Sequence, residues 1–174
     1  TKGDEHEEDF GKAVREQGRG VVEIADGRSE DRLRLSIEAM SEGAEVIAQA
    51  RLELAPFAGY ADFLFKLDGD SNLGTFHYEV WDTKLASRAR PGFILQLCCY
   101  TELLYGVQGV MPRRVVVALG DGSKEEVPLV WCYAWYLEIK QALLAFHDAF
   151  DADQVPDPAE SGSWGHWSEY AARV

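Results

Sequence analysis

Residues 59–84, GYADFLFKLDGDSNLGTFHYEVWDTK, hold two apolar β-like runs joined by a Gly/Asp/Ser/Asn loop. Apolar runs broken by turn residues in this way predict a hairpin whose strands sit in the core of a sheet. Three charges do not suit that setting. Asp62 lies inside the first run, and Asp82 and Lys84 end the second. A buried charge costs several kcal/mol unless a partner compensates it.

Outward from the hairpin, the chain alternates helical and strand-like segments. Residues 4–17 read as a helix, with Phe10 and Val14 on one stripe and acids near its start. A short strand is expected at 21–24. A helix then starts near Ser29, carries Leu33, Ile37 and Met40 at helical spacing, and stops at Gly43. Residues 45–54 predict the strand that precedes the hairpin. Pro91 opens a long apolar helix that ends at Gly109. Residues 115–119, VVVAL, form a fully apolar strand, turned by GDGS into EEVPLV, and 131–150 predict a last amphipathic helix. The expected class is α/β: a mixed central sheet flanked by helices, in one domain over 1–174.

The bulk numbers agree with a globular domain. The 174 residues are 47% hydrophobic, 11% aromatic and 27% charged, enough for a core. No apolar run is long enough to span a membrane, and the first ten residues resemble neither a signal peptide nor a lipidation motif. Cys98, Cys99 and Cys132 are an odd number of thiols, two of them adjacent in an apolar stretch. Reduced core residues in a cytoplasmic protein are expected. The net charge of −13, from 17 basic and 30 acidic residues, argues against nonspecific coating of nucleic acid. It does not exclude one cleft that meets phosphate through metal ions and a few local bases.

The three charges of the hairpin suggest such a cleft. Side chains alternate along a strand, so Asp82 and Lys84 share a face. Pairing of the two hairpin strands is expected to bring Asp62 beside Asp82. Two converging carboxylates repel unless a cation lies between them, and oxygen ligands suit Mg²⁺ or Mn²⁺. Lys84 beside such an ion is placed to orient water and to stabilise charge on a reacting phosphate.

The motifs G-x-x-D (Gly59 to Asp62), D-x-K (Asp82 to Lys84) and Q-x-x-x-Y (Gln96 to Tyr100), in this order, resemble the PD-(D/E)xK nuclease superfamily. Within it the chain is similar to the RecB-like branch, which includes CRISPR-associated exonucleases and helicase-associated nuclease domains. The stretch Gly3-Asp4-Glu5-His6 resembles that branch's helical histidine motif. The resemblance runs over nearly the whole chain. It implies a restriction-endonuclease-like core and a Mg²⁺- or Mn²⁺-dependent deoxyribonuclease, of exonuclease type, in which His6, Asp62 and Asp82 bind metal. Lys84 would be the catalytic lysine, with Gln96 and Tyr100 facing the site. Arg88 and Arg90, in the loop after Lys84, stand where a DNA phosphate would pass. The implied partners are DNA, as single strands or free ends, and a helicase or other nuclease-associated domain of a longer parent protein. The alternative is a catalytically inactive RecB-like module that binds DNA or serves assembly.

One feature departs from the family. Where relatives carry an iron–sulfur cysteine cluster, this chain has Gly162, Gly165 and Ala171. Such residues cannot ligate iron, so no cluster is expected. Pro158, Glu160 and Trp167 around these positions still resemble the family, and Trp164, Trp167 and Tyr170 are expected to pack the tail. Glu79, three residues from Asp82, is expected on the opposite face of its strand. Cys98 and Cys99 read as core fillers, and Tyr133, Trp135 and Tyr136 as packing residues. His147 and His166 carry no pattern.

Overall fold

The computed structural model describes residues 2–153. Its order is α1 (Lys2–Glu16), β1 (Val21–Glu23), α2 (Ser29–Ser41), β2 (Val46–Leu54), β3 (Phe57–Ser71), β4 (Gly74–Lys84), α3 (Pro91–Gln108), β5 (Arg114–Leu119), β6 (Lys124–Pro128) and α4 (Leu129–Asp148). The tail positions 162, 165 and 171, and Trp164, Trp167 and Tyr170, lie outside the described residues. Two compact units divide the chain, Thr1–Glu138 and Ile139–Val174. No shift in composition marks that division in the sequence, because the apolar helix α4 runs across it. Everything below concerns the first unit.

The six strands form one mixed sheet in the spatial order of the sequence. β1 runs parallel to β2, β2–β3–β4 form an antiparallel meander, β5 is parallel to β4, and β6 returns antiparallel to β5. A parallel neighbour needs a crossover. Helix α3 supplies it between β4 and β5.

Two apolar clusters cover the two faces. On one, Val46, Ala48, Phe63, Phe65, Trp81 and Val116 pack under Val14 and Phe10 of α1. On the other, Ile47, Leu64, Val80, Val115 and Val117 pack with Met40 of α2 and with Ile94, Leu97, Cys98 and Leu104 of α3. Buried Gln108 ties the end of α3 to β4. It accepts from Tyr78 N at 2.8 Å and donates to Tyr78 O at 3.1 Å. The β4–β5 ladder begins only at Trp81, so this side chain satisfies backbone groups that the ladder leaves open. Gly109, at φ 68°, caps the helix in the left-handed region that glycine enters without a Cβ penalty.

Among the described residues, no helix is long and apolar enough to cross a membrane. Cys98 and Cys132 are buried, with sulfurs 3.5 Å apart, and are free thiols. Tyr136 is buried and donates to Glu102, whereas Trp135 is 41% exposed, contrary to a packing role, because its position on α4 faces solvent.

Candidate active site

The site begins where the ladder fails. β2 and β3 pair Ala48 with Phe63 and Ala50 with Ala61, but the facing residues between them, Gln49 and Asp62, drop out of register. The pleat inverts there on both strands. Ala48 and Phe63 face α1, while Ala50 and Ala61, two residues away, face α3. An undisturbed strand keeps residues i and i+2 on one face. Gln49 takes the bend at φ 56°, a strained value for a residue with a Cβ. Arg32 Nη2 donates to its carbonyl at 3.2 Å, and its side-chain amide donates to Glu7 of α1.

The β3–β4 ladder also ends here. Its last pair on this side is Phe63 with Trp81, after which β4 continues to Lys84 paired only with β5. In place of another ladder bond, Asp62 Oδ2 accepts from Thr83 N at 2.8 Å and Thr83 Oγ1 at 2.9 Å. Asp62 is thereby fixed beside the end of β4.

Asp82 is fully buried. Lys84 Nζ stands 2.5 Å from its Oδ2 as an ion pair. Apart from Lys84, neither carboxylate oxygen of Asp82 has a donor among the described residues. Burial, then the charge of Asp62, push the Asp82 carboxyl up to about 7, against the pull of Lys84. Burial, then Asp62, also raise Glu7 above the usual carboxylate range. Three acids from α1, β3 and β4 thus share one electrostatic neighbourhood with one ammonium.

Two further motif residues meet through a missing side chain. A Cβ on Gly59 would lie 2.5 Å from Tyr100 Cε1, so only glycine lets that ring lie against β3. Gln96 Nε2 donates to Tyr100 Oη at 2.9 Å, which joins the two α3 residues one turn apart. Lys84 Nζ and Arg90 Cζ lie 5.5 and 6.0 Å from the Phe93 ring at the start of α3. Arg88 and Arg90 line a hollow formed by residues 86–91.

The structure therefore brings Asp62, Asp82 and Lys84 together and lays Tyr100, hydrogen-bonded by Gln96, against Gly59, three residues before Asp62. It does not bring His6 into that group. No cluster of three His, Cys, Asp or Glu side chains suited to a metal ion forms among the described residues. His6 instead lines a cavity on the α1 face with Phe10 and Trp81. Its helix neighbour Glu7 interacts with Asp62. Sequence reasoning did not single out Glu7, Gln49 or Thr83. Glu7 is hidden in an acid-rich helix. Gln49, a lone amide in an apolar strand, carried the one usable signal.

No protein-family model matches the chain, and no curated protein matches it in sequence.

Proposed function

We propose that the chain is a Mg²⁺- or Mn²⁺-dependent deoxyribonuclease, of exonuclease type, whose active site is the corner formed by Asp62, Asp82 and Lys84. One observation carries this reading: a wholly buried carboxylate, Asp82, whose Oδ2 meets a single ammonium, Lys84, and whose Oδ1 has no donor, beside a second carboxylate. Buried acids in folded proteins have their lone pairs met by donors, and an exception calls for an explanation. A divalent cation fits, because it prefers anionic oxygen and reverses the repulsion between the two acids. Asp82 and Asp62 would hold it, with Glu7 adjacent. When bound, such an ion supplies an activated water and neutralises phosphate charge.

The remaining roles belong to the chain's own groups. Lys84, about a quarter exposed, holds one face of Asp82 and presents its ammonium towards solvent, where a phosphate oxygen can meet it. Thr83 keeps Asp62 oriented through two hydrogen bonds. Arg88 and Arg90 offer exposed cations beside Lys84 for the flanking phosphates. Tyr100, held by Gln96, forms the wall on the α3 side.

The test is cleavage of end-labelled single- and double-stranded DNA with Mg²⁺ or Mn²⁺, by wild type and by Lys84→Ala. Metal-dependent shortening that Lys84→Ala loses is the expected result. A second reading is a non-catalytic DNA-binding or assembly module of a helicase–nuclease. The net charge of −13, which opposes a DNA substrate, favours its assembly role. Wild type that binds Mn²⁺ yet leaves every DNA end intact would decide for that module.

A further inference from the structure

On the α1 face of the sheet lies a cavity of about 400 Å³ that the catalytic reading does not use. Its floor is aromatic. Phe65 and Trp81 have ring centroids 4.2 Å apart, and Phe10 lies 6.4 and 6.2 Å from them. Lys124 Nζ sits 4.6 Å over the Trp81 ring, and Arg19 Cζ sits 5.5 Å over Phe65. His6 lines the same cavity, and its Nε2 is buried without a hydrogen-bond partner.

The charges around it are unequal in a telling way. The acids in the wall are already engaged: Glu79 by Arg114 and Trp81, and Asp9 by Lys12. Arg19 and Lys124 have no carboxylate within ion-pair distance among the described residues. In a chain with thirteen excess acids, two cations without a carboxylate partner among the described residues, above one aromatic floor, invite an anion. The volume lies within the usual range for a small-molecule site, where apolar walls and a few convergent polar groups fix the ligand.

From this geometry we infer that the cavity binds a nucleoside monophosphate. The base lies against Phe10 and the small open parts of Phe65 and Trp81, which are 6% and 8% exposed. The phosphate is met by Arg19 and Lys124, and the orphan nitrogen of His6 takes a hydrogen bond from or to the ligand. That the ligand is an aromatic anion rests on the cavity alone. The choice of a nucleotide among aromatic anions rests on the nuclease reading, whose product is of this class.

Calorimetry on the full chain, without divalent metal, tests the inference separately from catalysis. Thymidine and deoxyadenosine 5′-monophosphates are titrated beside the corresponding nucleosides and inorganic phosphate. Saturable binding of the monophosphates, at least about tenfold tighter than nucleoside or phosphate alone, is expected. Arg19→Glu and Lys124→Glu, both at exposed positions, should each weaken it about tenfold or more, and His6→Leu by a smaller factor. Phosphate binding as tightly as the nucleotides, or affinities unmoved by both charge reversals, overturns the inference. Metal-dependent DNA cleavage without nucleotide binding overturns this site and leaves the nuclease reading standing. Nucleotide binding without cleavage does the reverse.

Discussion

Glu79 and Asp82 are two carboxylates on the same strand, three residues apart, and both are removed from water. Their surroundings are opposite. Glu79 accepts from Arg114 Nε at 3.0 Å, from Arg114 Nη2 at 3.1 Å and from Trp81 Nε1 at 2.8 Å. Asp82, on the other face, has one ammonium, Lys84, at Oδ2, no donor at Oδ1, and a second carboxylate for company. Burial alone therefore does not mark a functional acid. The first carboxylate is a completed structural pair, because a bidentate guanidinium meets its lone pairs. The second is a charge that the fold leaves unfinished, which is how a site that expects a cation looks.

That contrast breaks most sharply in catalysis. Lys84→Ala should lower cleavage about 10²-fold or more with DNA affinity nearly unchanged, as loss of a contact made to developing charge does. Asp82→Asn should abolish metal-dependent cleavage. Glu79→Gln should leave turnover per folded molecule near wild type. If Glu79→Gln stops cleavage while the protein stays folded, the two acids are not distinct in kind.

The next effect is read in stability against pH and metal. The Asp82 carboxyl titrates in the folded protein near 7, well above an ordinary aspartate. The folded state therefore holds its proton more firmly than the unfolded chain between about pH 4 and 7. From this group, stability falls as pH rises through that window and levels off above it. Mg²⁺ or Mn²⁺ should reverse the trend at pH 8, adding about 2.7 kcal/mol at a hundredfold excess over the dissociation constant. Thermal unfolding of wild type and Asp82→Asn at pH 5 and 8, with and without metal, checks both. A metal-induced rise that Asp82→Asn retains would place the ion elsewhere.

A smaller effect separates the same two residues in stability alone. Glu79→Gln leaves the Arg114 guanidinium, about a third exposed, with only Glu126, and should cost about 2 kcal/mol. That corresponds to a fall of about 4–8 °C in Tm. Asp82→Asn removes a repelled buried charge, so at pH 8 without metal it should be neutral or stabilising. Asp82→Asn unfolding more easily than Glu79→Gln would contradict the unfinished-charge account. The smallest effect belongs to an exposed pair. Arg34→Ala breaks the contact with Glu38 at 2.8 Å, with both side chains more than half exposed, and should change stability by less than about 0.5 kcal/mol.

Much of this molecule is legible in its sequence. Hydrophobic period, Pro91, Gly43, Gly109 and the hairpin loop set the order and near-boundaries of the ten elements, because these signals act over a few neighbouring residues. The same short range made Asp82 and Lys84 a pair: a two-residue spacing on a strand puts both on one face. The spacing of Gln96 and Tyr100 likewise follows from one helical turn. Gly59 was visible as a motif letter, but its reason, the Tyr100 ring 2.5 Å from where a Cβ would stand, joins residues forty-one positions apart.

What only the tertiary structure decided depends on where strands stop pairing and which helix lies over which face. No local pattern announces that Gln49 and Asp62 leave the ladder together, since a bulge is set by both strands and by what packs against them. The exchange of His6 for Glu7 at the acid cluster is a rotation of one position on α1, about 100° of helix, fixed by how Phe10 and Val14 dock on the sheet. Likewise, Glu79 and Asp82 are both acids near the end of a strand in the sequence. Their difference is the bidentate Arg114 on one face and a single ammonium beside a second carboxylate on the other, and a guanidinium thirty-five residues away reaches its partner only after the parallel crossover has laid β5 beside β4.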